Sequence, residues 1–191
     1  MTVRKLDTHI DSDVSITAET TTTHRSVLRP VVVEVKSQDE VRCELALATG
    51  IDKTDVLSVL LEANVDSSNL KVLEYVPSLQ VGWADEELDS AERIAILEAA
   101  KNDGIGNRGY EALKKWIVTP PSAELIEAAE TYLVSRVDAL SDHHAYAYQV
   151  DILAKAWRIA AASGGHLGMF AISRVEEQVM EEVAATLTSG G

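Results

Sequence analysis

VGWADEELDSAERIAILEAAKNDGI, residues 81–105, decides the fold. It reads as helix, acidic loop, helix. Trp83 and Ala84 close an apolar run, and Asp85, Glu86, Glu87 and Asp89 crowd the loop. Asp89-Ser90-Ala91-Glu92 then opens a helix as a capping box. In that motif the Asp89 side chain accepts from the Glu92 N–H, and Glu92 reaches back to the Asp89 N–H. Ile94 and Leu97, with alanines beside them, supply the apolar face of the helix that follows.

Working outward, the 191 residues suit one domain, or one domain and a tail. Apolar residues make up 46 % and aromatics 5 %, so the core is Leu, Ile, Val and Ala, a composition of helices. The net charge of −14 is not evenly spread. Residues 1–36 carry five acids and five bases, which leaves 26 acids against 12 bases in the remainder. A body this acidic repels phosphate backbones and suits cations or basic partners. The lone Cys43 forms no disulfide within the chain, which fits a reducing cytoplasm. The N-terminus lacks the long apolar segment of a signal peptide, and no run reaches the 18 or so apolar residues of a membrane span.

Residues 1–36 are read as a disordered or extended tail, rich in Thr, Ser and Asp, with Val31–Val35 as an extended arm rather than a paired strand. Residues 37–187 form the helical domain, a pair of helices over 37–65 and a bundle core over 66–187. Ser37-Gln38-Asp39-Glu40 is a capping box for a helix that Gly50 ends. A second helix restarts at Asp52 and runs to about Asn64. A third spans Leu70 to Trp83, kinked or restarted at Pro77. Gly104 stops the helix that begins at Ser90. Short and long helices follow over 110–116, 122–140 and 144–162, the long one over 122–140 with the stripe Leu125, Ala129, Tyr132, Leu133, Arg136, Val137, Leu140. Ser173 and Glu176 box the last helix. The class is all-α, an irregular bundle of about seven or eight helices.

Two motif matches carry less than their letters suggest. Ala46, Gly50 and Val56 stand at helix-turn-helix spacing, which makes a DNA-binding regulator built on residues 42–61 the alternative function. Its second helix, however, offers Lys53 beside Asp55, too little charge for phosphates. Gly104-Ile105-Gly106-Asn107-Arg108-Gly109 matches G-x-G-x-x-G, but a helix precedes it where a dinucleotide site needs a strand, so it is an inter-helix loop. Cys43 is expected as a small core residue, not a nucleophile.

Leu88-Asp89-Ser90-Ala91-Glu92 is echoed by Ile172-Ser173-Arg174-Val175-Glu176: an apolar residue, a cap, two spacers and a glutamate. These two runs, with Gly82-Trp83-Ala84-Asp85 and Glu92-Arg93 in the first half and Gly164-Gly165, Leu167-Gly168 and Glu176-Glu177 in the second, resemble the tellurite-resistance TerB-like family over about residues 66–187. The resemblance implies an all-helical fold with an internal pseudo-repeat. It also implies an association with cation or metal stress and with cytoplasmic or membrane-adjacent complexes. One departure is that the family's loop glycine after Asp85 is Glu86 here, which adds charge and resists φ > 0.

Asp85, Asp89 and Glu92 are the leading cation candidates, placed to converge on a hard ion such as Ca²⁺ or Mg²⁺. The competing reading has Asp89 and Glu92 only capping the helix and Asp85 solvated. Glu176 and Glu177 are the weaker counterpart in the second run. His144 and Asp151, one helix turn either side of Tyr148, are a weaker transition-metal candidate. No cofactor is certain from the sequence. The function expected is a non-catalytic module that binds a cation or a basic protein partner, ahead of the DNA regulator and of a hydrolase built on paired carboxylates.

Overall fold

The computed structural model describes residues 36–163 and 172–188. All of the expected tail but Lys36, including the Val31–Val35 arm, and the glycines at 164, 165 and 168 lie outside those residues. Among the described residues there are eight α-helices and no strand: α1 Gln38–Thr49, α2 Thr54–Glu62, α3 Val76–Gly82, α4 Ser90–Asn102, α5 Asn107–Trp116, α6 Ala123–Asp138, α7 Asp142–Ser163 and α8 Arg174–Thr188. None of them is long and apolar enough to cross a membrane.

Local chemistry sets the helix boundaries. Ser37 caps α1 in a closed box with Glu40, and Gly50 leaves it at φ +72, its N–H donating to Ala46 O. Asn64 takes φ +62 at the end of α2, where Val65 donates to Leu60 O and Asn64 to Leu61 O, so a helix stop of Schellman type is made without glycine. Gly104 repeats that pattern after α4, with Ile105 donating to Ala100 O and Gly104 to Lys101 O. Pro77 does not kink a long helix. Leu70–Tyr75 is a 3₁₀ turn, and Pro77 sits in the first turn of α3, where a missing N–H costs nothing.

The long α7 packs against α3, α4 and α8, while α8 also reaches α3 and α6, and α2 lies on α6. The shared core includes Leu45, Leu60, Leu73, Leu79, Ile96, Leu113, Leu133 and Ile152, all within 1 % of full burial. Helices α1 and α2 thus contribute to the same core as the segment over 66–187.

Several expectations change. Gly109 is not in a loop. Helix α5 begins at Asn107, and Gly109 lies buried in its first turn, where an added Cβ would meet Ile105 Cγ2 at 2.6 Å. Ile94 is 57 % exposed, because α4 buries Glu92, Ile96 and Ala100 instead. Arg136 is exposed, displaced from the buried stripe of α6 by Ala128. Cys43 is exposed as well, with Leu45 and Thr49 taking the inward face of α1.

Candidate functional site

The acidic elbow is a rigid turn. Trp83 N–H donates to Leu79 O at 2.9 Å and Ala84 N–H to Val81 O at 3.1 Å. Glu86 N–H then donates to Trp83 O at 3.0 Å. Glu86 holds φ +70 despite its side chain. A glutamate was expected to resist that conformation; the hydrogen bonds on either side enforce it. Asp85 accepts from the Glu87 N–H at 3.3 Å. Two anchors fix the turn to the bundle. Leu88 is fully buried against Gly82, whose bare Cα leaves room for it: a Cβ there would stand 2.4 Å from Leu88 Cδ1. Trp83 Nε1 donates to Trp116 O at 3.0 Å. The side chains of Asp85, Glu86 and Glu87 are left in solvent. No lysine or arginine among the described residues forms an ion pair with them.

Asp89 and Glu92 point the other way. Asp89 Oδ1 accepts from Ala91 N–H at 2.7 Å and Glu92 N–H at 2.8 Å, and Glu92 Oε2 accepts from Asp89 N–H at 3.0 Å. Helix α8 begins the same way, with Glu176 Oε2 accepting from Ser173 N–H at 2.7 Å and Glu176 N–H donating to Ser173 Oγ at 3.2 Å. The two boxes meet. Glu92 is 2 % exposed and Glu176 6 %, and their carboxyls are within hydrogen-bonding reach of each other. Burial pushes Glu92 up to about 7; the Asp89 N–H opposes this, while the Asp89 and Glu176 charges and the hydrogen bond with Glu176 add to it. Near neutral pH the buried Glu92 carboxyl is therefore partly protonated.

Among the described residues no three His, Cys, Asp or Glu side chains converge as a ligand set. Asp85 faces solvent, while Asp89 and Glu92 complete a helix cap. Glu177 is exposed. His144 Nδ1 is 2.9 Å from Ser141 Oγ, Tyr148 donates to Glu74 at 3.2 Å, and Asp151 stands 4.0 Å from Lys155, so the His144–Asp151 face is not a ligand set either.

One charged cluster carries no sequence signal. Lys155 is 4 % exposed, 2.8 Å from Asp103, 3.6 Å from Glu74 and 4.5 Å from the centre of the Tyr75 ring. Tyr75 donates to Asp103 at 2.6 Å, and Lys71 Nζ to Asp103 O at 2.9 Å. Burial alone would raise the Asp103 pKa, but the bonds from Lys155 and Tyr75 outweigh it and hold Asp103 below the usual carboxylate range. These groups tie the 3₁₀ turn, the end of α4 and the middle of α7 together.

At the alternative site, residues 42–61, the start of α2 exposes Asp52, Lys53, Thr54 and Asp55, one base among acids. The neighbouring cleft of about 420 Å³ has Lys36, Arg42 and Arg108 in its wall, each paired with an acid: Glu44, Asp39 and Asp66. Comparison with known proteins returns no matching family model, no matching curated protein and no matching solved structure.

Proposed function

We propose that this chain is a non-catalytic, TerB-like interaction module whose acidic elbow engages a basic surface on a protein partner. The observation that supports it best is the division of labour in the elbow. Asp89 and Glu92 are spent on the fold, while Asp85, Glu86 and Glu87 are presented together in solvent on a locked backbone, unpaired with any described base. Charges fixed on a rigid turn lose little entropy when a partner binds, which favours recognition. The TerB-like kinship is supported by the meeting of the two capping boxes, the arrangement a duplicated helix-loop-helix would have. The non-catalytic reading is supported by the seal over Glu92 and Glu176: two neighbouring carboxyls suit acid–base chemistry, but these are buried with no opening for a substrate.

The test is calorimetric titration with a Lys/Arg decapeptide at about 0.15 M salt. D85N/E86Q/E87Q should weaken binding about tenfold, on the order of 0.5 kcal/mol per exposed charge. D52N/E98Q/E181Q, which removes three exposed charges elsewhere, should weaken it less than threefold. Equal losses in the two variants would sink the proposal.

A further inference from the structure

Helix α7 has two apolar sides, and the bundle covers only one. Ile152, Ala156, Ile159 and Ala160 face the core, each within 2 % of full burial. Tyr146, Val150 and Trp157 are 69 %, 45 % and 52 % exposed. Leu153, half-buried, stands between Val150 and Trp157. These four follow one another at alternating steps of four and three residues, so they form one ridge, about 17 Å long at roughly 1.5 Å per residue. Large apolar side chains scattered singly over a surface are ordinary; aligned over three turns they mark a place of contact.

The charges beside the ridge bear on what covers it. Asp151 and Arg158 are seven residues apart, on one line along the flank of the ridge. The Asp151 side chain is 63 % exposed and stands 4.0 Å from Lys155, which has nearer partners in Asp103 at 2.8 Å and Glu74 at 3.6 Å. Arg158 is exposed, its Nε donating to Ala154 O of its own helix at 3.2 Å, and it pairs with no acid among the described residues. An apolar ridge with an acid toward one end and a base toward the other is complementary to itself. Two copies laid antiparallel bring Asp151 of each beside Arg158 of the other, twice over by symmetry. The two-fold axis then passes beside Ala154, a small residue that lets the helices approach. Val150 faces Trp157 of the other copy, and Tyr146 faces Ala161, large against small. A parallel pair would set Asp151 against Asp151 instead. The net charge of −14 opposes the encounter of two copies, but at about 0.15 M salt that repulsion is screened beyond roughly 8 Å. Three turns of one helix offer less than the about 800 Å² per partner of a standard interface, which sets the dissociation constant on the order of 10–100 µM.

We propose that α7 is the contact of a weak antiparallel homodimer, made by the ridge from Tyr146 to Trp157 and by two reciprocal Asp151–Arg158 ion pairs. The contact uses none of the residues of the elbow and stands whether or not the elbow binds a partner.

The test is sedimentation velocity of the full chain at about 0.15 M salt, over roughly 5 to 500 µM. The native chain should pass from monomer to dimer and no further, since an isologous contact closes at two. W157S, at an exposed position, should raise the dissociation constant about tenfold or more, as for an aromatic at the centre of a contact. D151K and R158E should each weaken the dimer about threefold to tenfold, and the double variant D151K/R158E should restore it, because the swapped charges meet again across the two-fold axis. Circular dichroism checks that each variant is folded; should D151K unfold, an equimolar mixture of folded W157S and native chain carries the test, with mixed dimers weaker than native ones. A monomer at every concentration would overturn the proposal, whether Trp157 is open to acrylamide or shielded by another part of its own chain. So would a dimer indifferent to W157S, growth beyond two copies, or a folded double variant no tighter than the single ones.

Discussion

Glu92→Gln is the perturbation whose outcome is least intuitive, because removing a capping charge should stabilise the protein. Glu92 is held at about 7 in the fold against an ordinary value of 4.5. The folded state therefore binds the proton more tightly than the unfolded chain. The stability tied to this group is fully present below pH 4.5, falls as pH rises between the two values and is lost above 7. At about 1.36 kcal/mol per pH unit the loss is about 3 kcal/mol, an upper bound because water entering around an ionised pair relaxes it. Glutamine cannot ionise. Its oxygen still accepts from the Asp89 N–H, and its amide donates to the Glu176 carboxylate. Urea unfolding followed by tryptophan fluorescence should show the native chain losing roughly 2–3 kcal/mol between pH 5 and pH 8, with the glutamine variant losing far less. At pH 8 the variant should be the more stable of the two. A variant less stable than the native chain by the same amount at both pH values would refute the raised Glu92 pKa and leave Glu92 as an ordinary cap.

Lys155→Met leaves Glu74 and Asp103 without their cation and should cost about 3–5 kcal/mol, read as a fall in thermal midpoint. Gly82→Ala drives a methyl into Leu88 and should cost about 1–3 kcal/mol by the same measurement. Glu86→Gly removes a side chain from a left-handed backbone and should gain about 0.5–1 kcal/mol after the added freedom of the unfolded chain is counted; Glu86→Gln, which drops only the charge, should change stability little.

The parts of this fold that were legible in the sequence are those fixed within five residues. The boxes at Ser37, Asp89 and Ser173 and the stops at Gly50 and Gly104 fall where local hydrogen bonding puts them. Facing was harder. Ile94 looks like a core residue on its own helix, yet the side of α4 that meets α7 is the one bearing Glu92, Ile96 and Ala100. Only tertiary packing decides between two apolar stripes 100° or so apart. The site divides in the same way. The echo between 88–92 and 172–176 is visible in the letters, but that Glu92 and Glu176 touch is a property of how α8 returns to the bundle. Lys155 gave no signal because its partners come from positions 74, 75 and 103, and no spacing rule joins them. The expected cation set is not gathered among the described residues: Asp89 and Glu92 close a capping box on backbone amides while Asp85 faces solvent.

The most direct test of the elbow as a recognition surface is amide chemical-shift mapping with a decalysine peptide at about 0.15 M salt, where long-range attraction between surface charges is screened beyond roughly 8 Å. The expected result is a saturating set of shifts over residues 84–88 that disappears in D85N/E86Q/E87Q while the rest of the spectrum stays in place. Silence at 84–88, with peptide bound elsewhere on the molecule, would contradict it.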